Sequence, residues 1–217
     1  NGVIATTQTY QDLLEAVQIA GSELLEPTRR TISLGEASLE IIPPPNIEAF
    51  NRNNNSIGVI IDFGDFEAAL TGDAEKEEFD WWLENTPSYL QQVEVYKASH
   101  HGSKNGDTQE SITTWQPETV VIGVSASNPY GHPSPEALAL YASVGATICR
   151  TDLNGSVVVT GKASGRYATD SDRDSCETRS AEVLPGRPQF AVDDRTSGHR
   201  LDLGNVRKLS KFNTLLL

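Results

Sequence analysis

Three histidines and one aspartate in the sequence hold equivalent places, each just past an apolar run of strand character. Loops at such strand ends converge on one rim of an open α/β sheet, so residues distant in the chain can share a site there. Asp73 ends Thr71-Gly72-Asp73. A carboxylate presented by a glycine turn suits a hard ligand shared by divalent ions, and it equally suits the N-cap of a helix starting near Glu75. His100 and His101 end another strand and run into Gly102 and Ser103. The pair offers neutral nitrogens for metal ligation and a ready proton donor, or one histidine can support the other by hydrogen bonding. His132, within Asn128-Pro129-Tyr130-Gly131-His132-Pro133, precedes a helix start. It reads either as a ligand facing an anionic group or as a loop residue that fixes its turn. His199 lies in a polar tail and is assigned no role.

The elements that must position these residues alternate between strands and helices. A capped amphipathic helix is predicted from Thr9, stopping near Gly21, and short strands at Thr31 to Ser33 and Ser38 to Ile42 follow. Ser56 to Phe63 and Phe66 to Leu70 read as strands, the first too apolar for a wet surface. The pattern then predicts a helix over Glu75 to Glu84, a strand over Val93 to Ala98, a helix from Thr108 to Trp115 and a strand over Glu118 to Val124. Ser134-Pro135 opens a helix running to Tyr141, with serine as N-cap and proline in the first turn. Ala146 to Arg150 and Ser156 to Thr160 are expected to form a hairpin around Leu153-Asn154-Gly155. Such alternation predicts a layered α/β fold.

At 217 residues the chain suits one domain plus a tail, and from Lys162 onward the periodic pattern dissolves into polar sequence. Thirty acidic against seventeen basic residues give a net charge of -13. That field repels polyanions and argues against nucleic-acid affinity through the protein surface alone, although a bound divalent ion reverses the balance locally. Two cysteines, Cys149 and Cys176, exclude a structural zinc array; they pair in an oxidising compartment or stand as separate thiols. No run approaches the roughly 18 apolar residues of a membrane span. The chain opens on Asn1 without a signal peptide and contains no methionine, which reads as a piece of something longer.

Five motifs in order, Asn55-Ser56, Leu70-Thr71-Gly72-Asp73-Ala74, Ser99-His100-His101-Gly102-Ser103, Asn128-Pro129-Tyr130-Gly131-His132-Pro133 and Arg150-Thr151-Asp152-Leu153-Asn154-Gly155, resemble the metallo-β-lactamase-like domain of the ComEC type, found in the bacterial DNA-uptake channel protein and in stand-alone secreted relatives. The resemblance covers residues 1–160 and implies the C-terminal portion of an αββα sandwich, incomplete at its N-terminus, with 161–217 as a polar linker or tail, disordered in one reading. It implies a site for zinc or manganese that activates water. By position, Asp73 resembles the bridging carboxylate, the pair His100 and His101 a ligand or proton donor, and His132 a ligand or a residue that supports one, with Asp73, His100 and His101 carrying the catalysis. Asn55 falls where many superfamily members place another metal-binding histidine; with Ser103 and Lys104 it is expected to meet substrate or to support the ligands.

The superfamily's first cluster, of the form His-x-Asp-x-Asp-His or His-x-His-x-Asp-His, should precede the helix at Thr9, and no such run occurs. The chain alone is therefore expected to bind metal poorly and to have little activity. The implied function is a metal-dependent nuclease or phosphodiesterase of the DNA-uptake (competence) type, exported to the cell surface or beyond, with single-stranded DNA or another phosphodiester as substrate. The alternatives are a hydrolase of the same fold acting on a small phosphoester or lactone, and a non-catalytic remnant.

Overall fold

The computed structural model describes residues 5–45, 51–178 and 215–216. His199 lies outside the described residues. The first element, α1 (Gln8–Ile19), begins two residues earlier than its sequence suggests: Thr7, not Thr9, is the N-cap, its hydroxyl accepting from Tyr10 N. The helix buries none of its residues, and Leu13 and Ile19 stand 55% and 80% exposed.

A mixed sheet follows. β1 (Arg30–Leu34), β2 (Ala37–Ile42), β3 (Gly58–Phe63) and β4 (Phe66–Leu70) form an antiparallel meander. Helices then intervene, so the next strands must run parallel. The order is α2 (Lys76–Asn85), β5 (Val95–Lys97), α3 (Gln109–Trp115), β6 (Thr119–Ile122), α4 (Pro135–Ser143) and β7 (Thr147–Arg150), with β4 to β7 all parallel. The caps that the sequence signals are made: Thr108 and Ser111 form a capping box on α3, and Ser134 Oγ accepts from Ala137 N on α4.

After β7 the expected hairpin does not form. Thr151–Asn154 coils into a short helical turn, α5, and carries the chain into a second sheet, where β8 (Val157–Gly161) pairs antiparallel with β9 (Tyr167–Ser171). The local cause is Asn154, whose Oδ1 accepts from Arg150 N at 2.7 Å and closes the turn that an Asn-Gly hairpin would have opened. The short strands β10 (Glu177–Thr178) and β11 (Leu215–Leu216) add to β7 and β8 respectively. Paired backbone thus continues past residue 160, where the sequence places the start of the tail, as far as Thr178. The strand orders are β1-β2-β3-β4-β5-β6-β7-β10 and β11-β8-β9.

Two-residue alternation gives the large sheet two apolar faces. Ala69, Tyr96, Val120 and Ile148 face α2, α3 and α4, where Phe79, Trp82, Trp115 and Tyr141 are fully or almost fully buried. Ala68, Val95, Val121 and Cys149 face the other way and pack on Val157 and Val159 of the second sheet. The result is a layered α/β fold of helices, large sheet and small sheet. At the β1 edge the register places Ile32, Leu34, Leu39, Ile41, Val59 and Ile61 on that second face, and Ile32 and Leu34 remain 37% and 57% exposed. No helix among the described residues is long and apolar enough to cross a membrane.

Candidate metal centre

Parallel strands β4, β5 and β6 end on the same rim, and the loops after them carry Asp73, the histidine pair and His132. Direct bonds lace the loops together. His100 N donates to Gly72 O at 3.1 Å, Ser99 Oγ to Ala74 O at 2.6 Å and Ser134 N to Gly102 O at 2.8 Å. Gly72 has φ +61° and a Cβ there would lie 2.8 Å from Ser56 Oγ, the hydroxyl that accepts from Asp73 N. Gly102 has φ +76° and a Cβ there would meet Pro133 at 2.7 Å. Both loop junctions therefore require glycine twice over, for conformation and for space.

Asp73 does not cap α2. Glu75 holds the N-cap position, and the Asp73 side chain, 43% exposed, lies 3.6 Å from His101 Nε2. The other nitrogen of that ring, Nδ1, lies 2.6 Å from Gly123 O. A carbonyl only accepts, so Nδ1 carries a hydrogen, and Nε2 is the ring nitrogen turned toward the Asp73 carboxylate. A ring nitrogen and a carboxylate oxygen facing each other across this gap can share a cation between them.

His100 is faced by a carboxylate that the sequence did not single out. Its Nδ1 lies 3.1 Å from Glu75 Oε1, within ion-pair distance but off the line of a hydrogen bond, so this buried nitrogen has no hydrogen-bond partner. Asn53 and Asn51 hold the two Glu75 oxygens at 2.9 and 3.0 Å, and Glu75 N donates to Asn54 Oδ1. The fixed carboxylate thus faces the ring nitrogen at ion-pair distance. His132 packs edge-on to His100 with ring centroids 5.6 Å apart. Burial, then the neighbouring His100 and His101, lower the His132 pKa against the opposing pull of Asp73, which favours the neutral, ligating form. Asn128 fixes the loop, accepting from His132 N and donating to His132 O. Tyr130 stacks on His132 and is 78% exposed.

The remaining expected residues divide differently. Asn55 is buried in the turn Asn53–Asn55 against α2, and Ser103 is buried with its hydroxyl accepting from Asn105 N; Lys104 is exposed. Lys97, half-buried at the end of β5, donates to Ala98 O at 3.2 Å, and burial lowers its pKa against the opposing pull of Asp73 and Asp107. The Arg150-Thr151-Asp152 motif is structural: Thr151 Oγ1 bonds Val124 N and O at 2.7 and 2.8 Å and so secures the loop whose Gly123 O holds His101.

The donor chemistry fits a divalent ion, since a carboxylate and imidazoles suit zinc or manganese. The number falls short. Among the described residues no group of three or more histidine, cysteine, aspartate or glutamate side chains is placed to hold one metal.

The chain is 28% identical over 148 residues to ComE operon protein 3 of Bacillus subtilis (strain 168), covering 68% of this chain and 19% of that protein. It is 24% identical over 120 residues to Recombination protein 2 of Haemophilus influenzae, covering 55% of this chain and 15% of that protein. The chain thus spans less than a fifth of the length of these curated relatives. A solved structure, the CmlA beta-hydroxylase E377D mutant, aligns at TM-score 0.39 and 16% identity over 56% of this chain and 31% of that one, too slight a likeness to build on. No family model matches.

Proposed function

We propose that this chain carries part of a divalent-metal hydrolase site and acts, with further ligands, on phosphodiesters in DNA uptake. The observation that carries the reading is the approach of His101 Nε2 to the Asp73 carboxylate at 3.6 Å, on a rim that also holds His100 and His132. Asp73 and His101 would supply two of the ion's ligands, and His100, faced by Glu75, and His132 would stand beside it. A zinc or manganese ion so held supplies Lewis acidity and a nucleophilic water. The curated relatives, one of them a ComE operon protein, support the DNA-uptake setting. The disulfide between Cys149 and Cys176 supports an exported location, because such bonds persist in oxidising compartments.

The test is a Mn2+ titration followed by paramagnetic broadening of histidine ring signals. His101 and His100 should broaden first, and Asp73→Ala should abolish the effect; unbroadened rings at millimolar Mn2+ would leave the non-catalytic remnant as the better account. Substrate class is read separately by incubating the metal-loaded protein with single-stranded oligonucleotide and with small phosphoesters and lactones. A second reading, a small-molecule hydrolase, is favoured by the acidic surface. Tyr130 separates the two, since an exposed aromatic at the rim can stack on a base, worth about 1–3 kcal/mol. Tyr130→Ala should weaken oligonucleotide binding and leave a small phosphoester unaffected.

A further inference from the structure

Asp107 belongs to none of the five motifs, yet it bonds β5, the loop that carries His100 and helix α4. It is buried, and one carboxylate oxygen accepts from Tyr96 OH at 2.5 Å while the other accepts from Tyr141 OH at 2.7 Å and from Ser99 N at 3.2 Å. With the Tyr96 hydrogen committed to Asp107, the 2.9 Å contact between Tyr96 OH and Thr71 Oγ1 has threonine as donor. One carboxylate therefore tethers Thr71, two residues before Asp73; Ser99, next to His100; and Tyr141 of α4, the helix that follows the His132 loop.

A charge in the core costs several kcal/mol unless it is fully hydrogen-bonded, and an apolar side chain of similar size would pack there without that cost. What the carboxylate adds is acceptance from three directions at once. The backbone it helps to secure is strained: His100 and His101 both lie in the left-handed region, at φ +44° and +56°, a conformation that costs on the order of 1–3 kcal/mol per non-glycine residue.

We propose that Asp107 is a positioning residue. It holds the His100–His101 turn in its left-handed conformation and in register with Asp73, and so sets the affinity for a divalent cation that it does not touch. The consequence for metal rests on the function proposed above; the consequence for the turn does not.

Asp107→Ala deletes all three acceptors. Asp107→Asn is the conservative variant, because its oxygen can serve Tyr141 and Ser99 while its amide donates to Tyr96. Val157→Ala, in the core on the opposite face of the large sheet, supplies a loss of stability without touching the network. The readouts are the positive-φ signature of His100 and His101, from coupling constants and Cα shifts in histidine-labelled protein, and Mn2+ affinity. At temperatures where each variant is folded by circular dichroism, Asp107→Ala should lose the signature at both histidines and bind Mn2+ about tenfold more weakly. Asp107→Asn and Val157→Ala should retain both.

The proposal is overturned if folded Asp107→Ala keeps the wild-type signature and affinity, or if Val157→Ala loses them equally. If Asp107→Ala does not fold, Tyr141→Phe removes one tether with the ring retained, and it should weaken Mn2+ about threefold with exchange broadening at His100; unchanged values overturn the proposal. If the wild-type protein binds no Mn2+, the metal-site reading fails by itself, and the histidine signature alone decides whether Asp107 positions the turn.

Discussion

At the scale of single residues, the site is organised by what stands behind the ligands. Glu75 is clamped by two asparagine amides and faces His100 Nδ1, so its effect is exerted through another side chain. Glu75→Gln replaces one acceptor by a donor that opposes an asparagine amide and removes the negative charge from the ring. Metal affinity should fall about 10- to 100-fold, the usual scale for losing an orienting carboxylate, and calorimetric Mn2+ titration measures it. Asp73, His100, His101 and His132 were legible in the sequence because strand ends are places where chemistry gathers. Glu75 and Asp107 were not, since nothing local marks them: their partners lie on other elements and are met only once the chain has folded.

At the scale of elements, Glu78 joins α2 to the turn beneath Asp73. It is fully buried, accepts from Ser56 N at 3.3 Å through one oxygen and leaves the other without a hydrogen bond. Burial pushes its pKa up to about 8, against the pull of the Ser56 amide. The unfolded carboxyl ionises near pH ~4.3, so stability from this group is fully present below that pH. As pH rises toward 8 the unfolded chain gives up its proton and the folded protein does not, and stability falls through that window. Glu78→Gln should flatten the decline and stabilise the protein by roughly 2–4 kcal/mol at pH 8, measured by denaturant unfolding across pH. Most elements of the large sheet and its helices were readable from alternation and caps. The β7-to-β8 connection was not, because Asn154-Gly155 carries the local signal of a hairpin while the Asn154 side chain spends itself on a helical turn. β9 was hidden for a different reason: it lies at the surface with exposed residues in alternation, and its polar sequence reads as tail.

At the scale of the whole molecule, the Cys149–Cys176 disulfide ties β7 to the segment beyond β9 across a separation of 27 residues. Closing a loop of that size restricts the unfolded chain, and Cys176→Ser should cost about 3 kcal/mol, read as a lower midpoint in denaturant, with reductant producing a similar loss in the wild-type protein. The fold also contains a conflict between durability and use at the left-handed histidines. Glycine at positions 100 and 101 would relieve the backbone there and lose both imidazoles. A library randomised at the two positions and sorted only for resistance to heat should enrich glycine, whereas the same library sorted for retention of Mn2+ should return histidine. Opposite winners from one pool would mark this turn as kept for what it binds, at the expense of how well it folds.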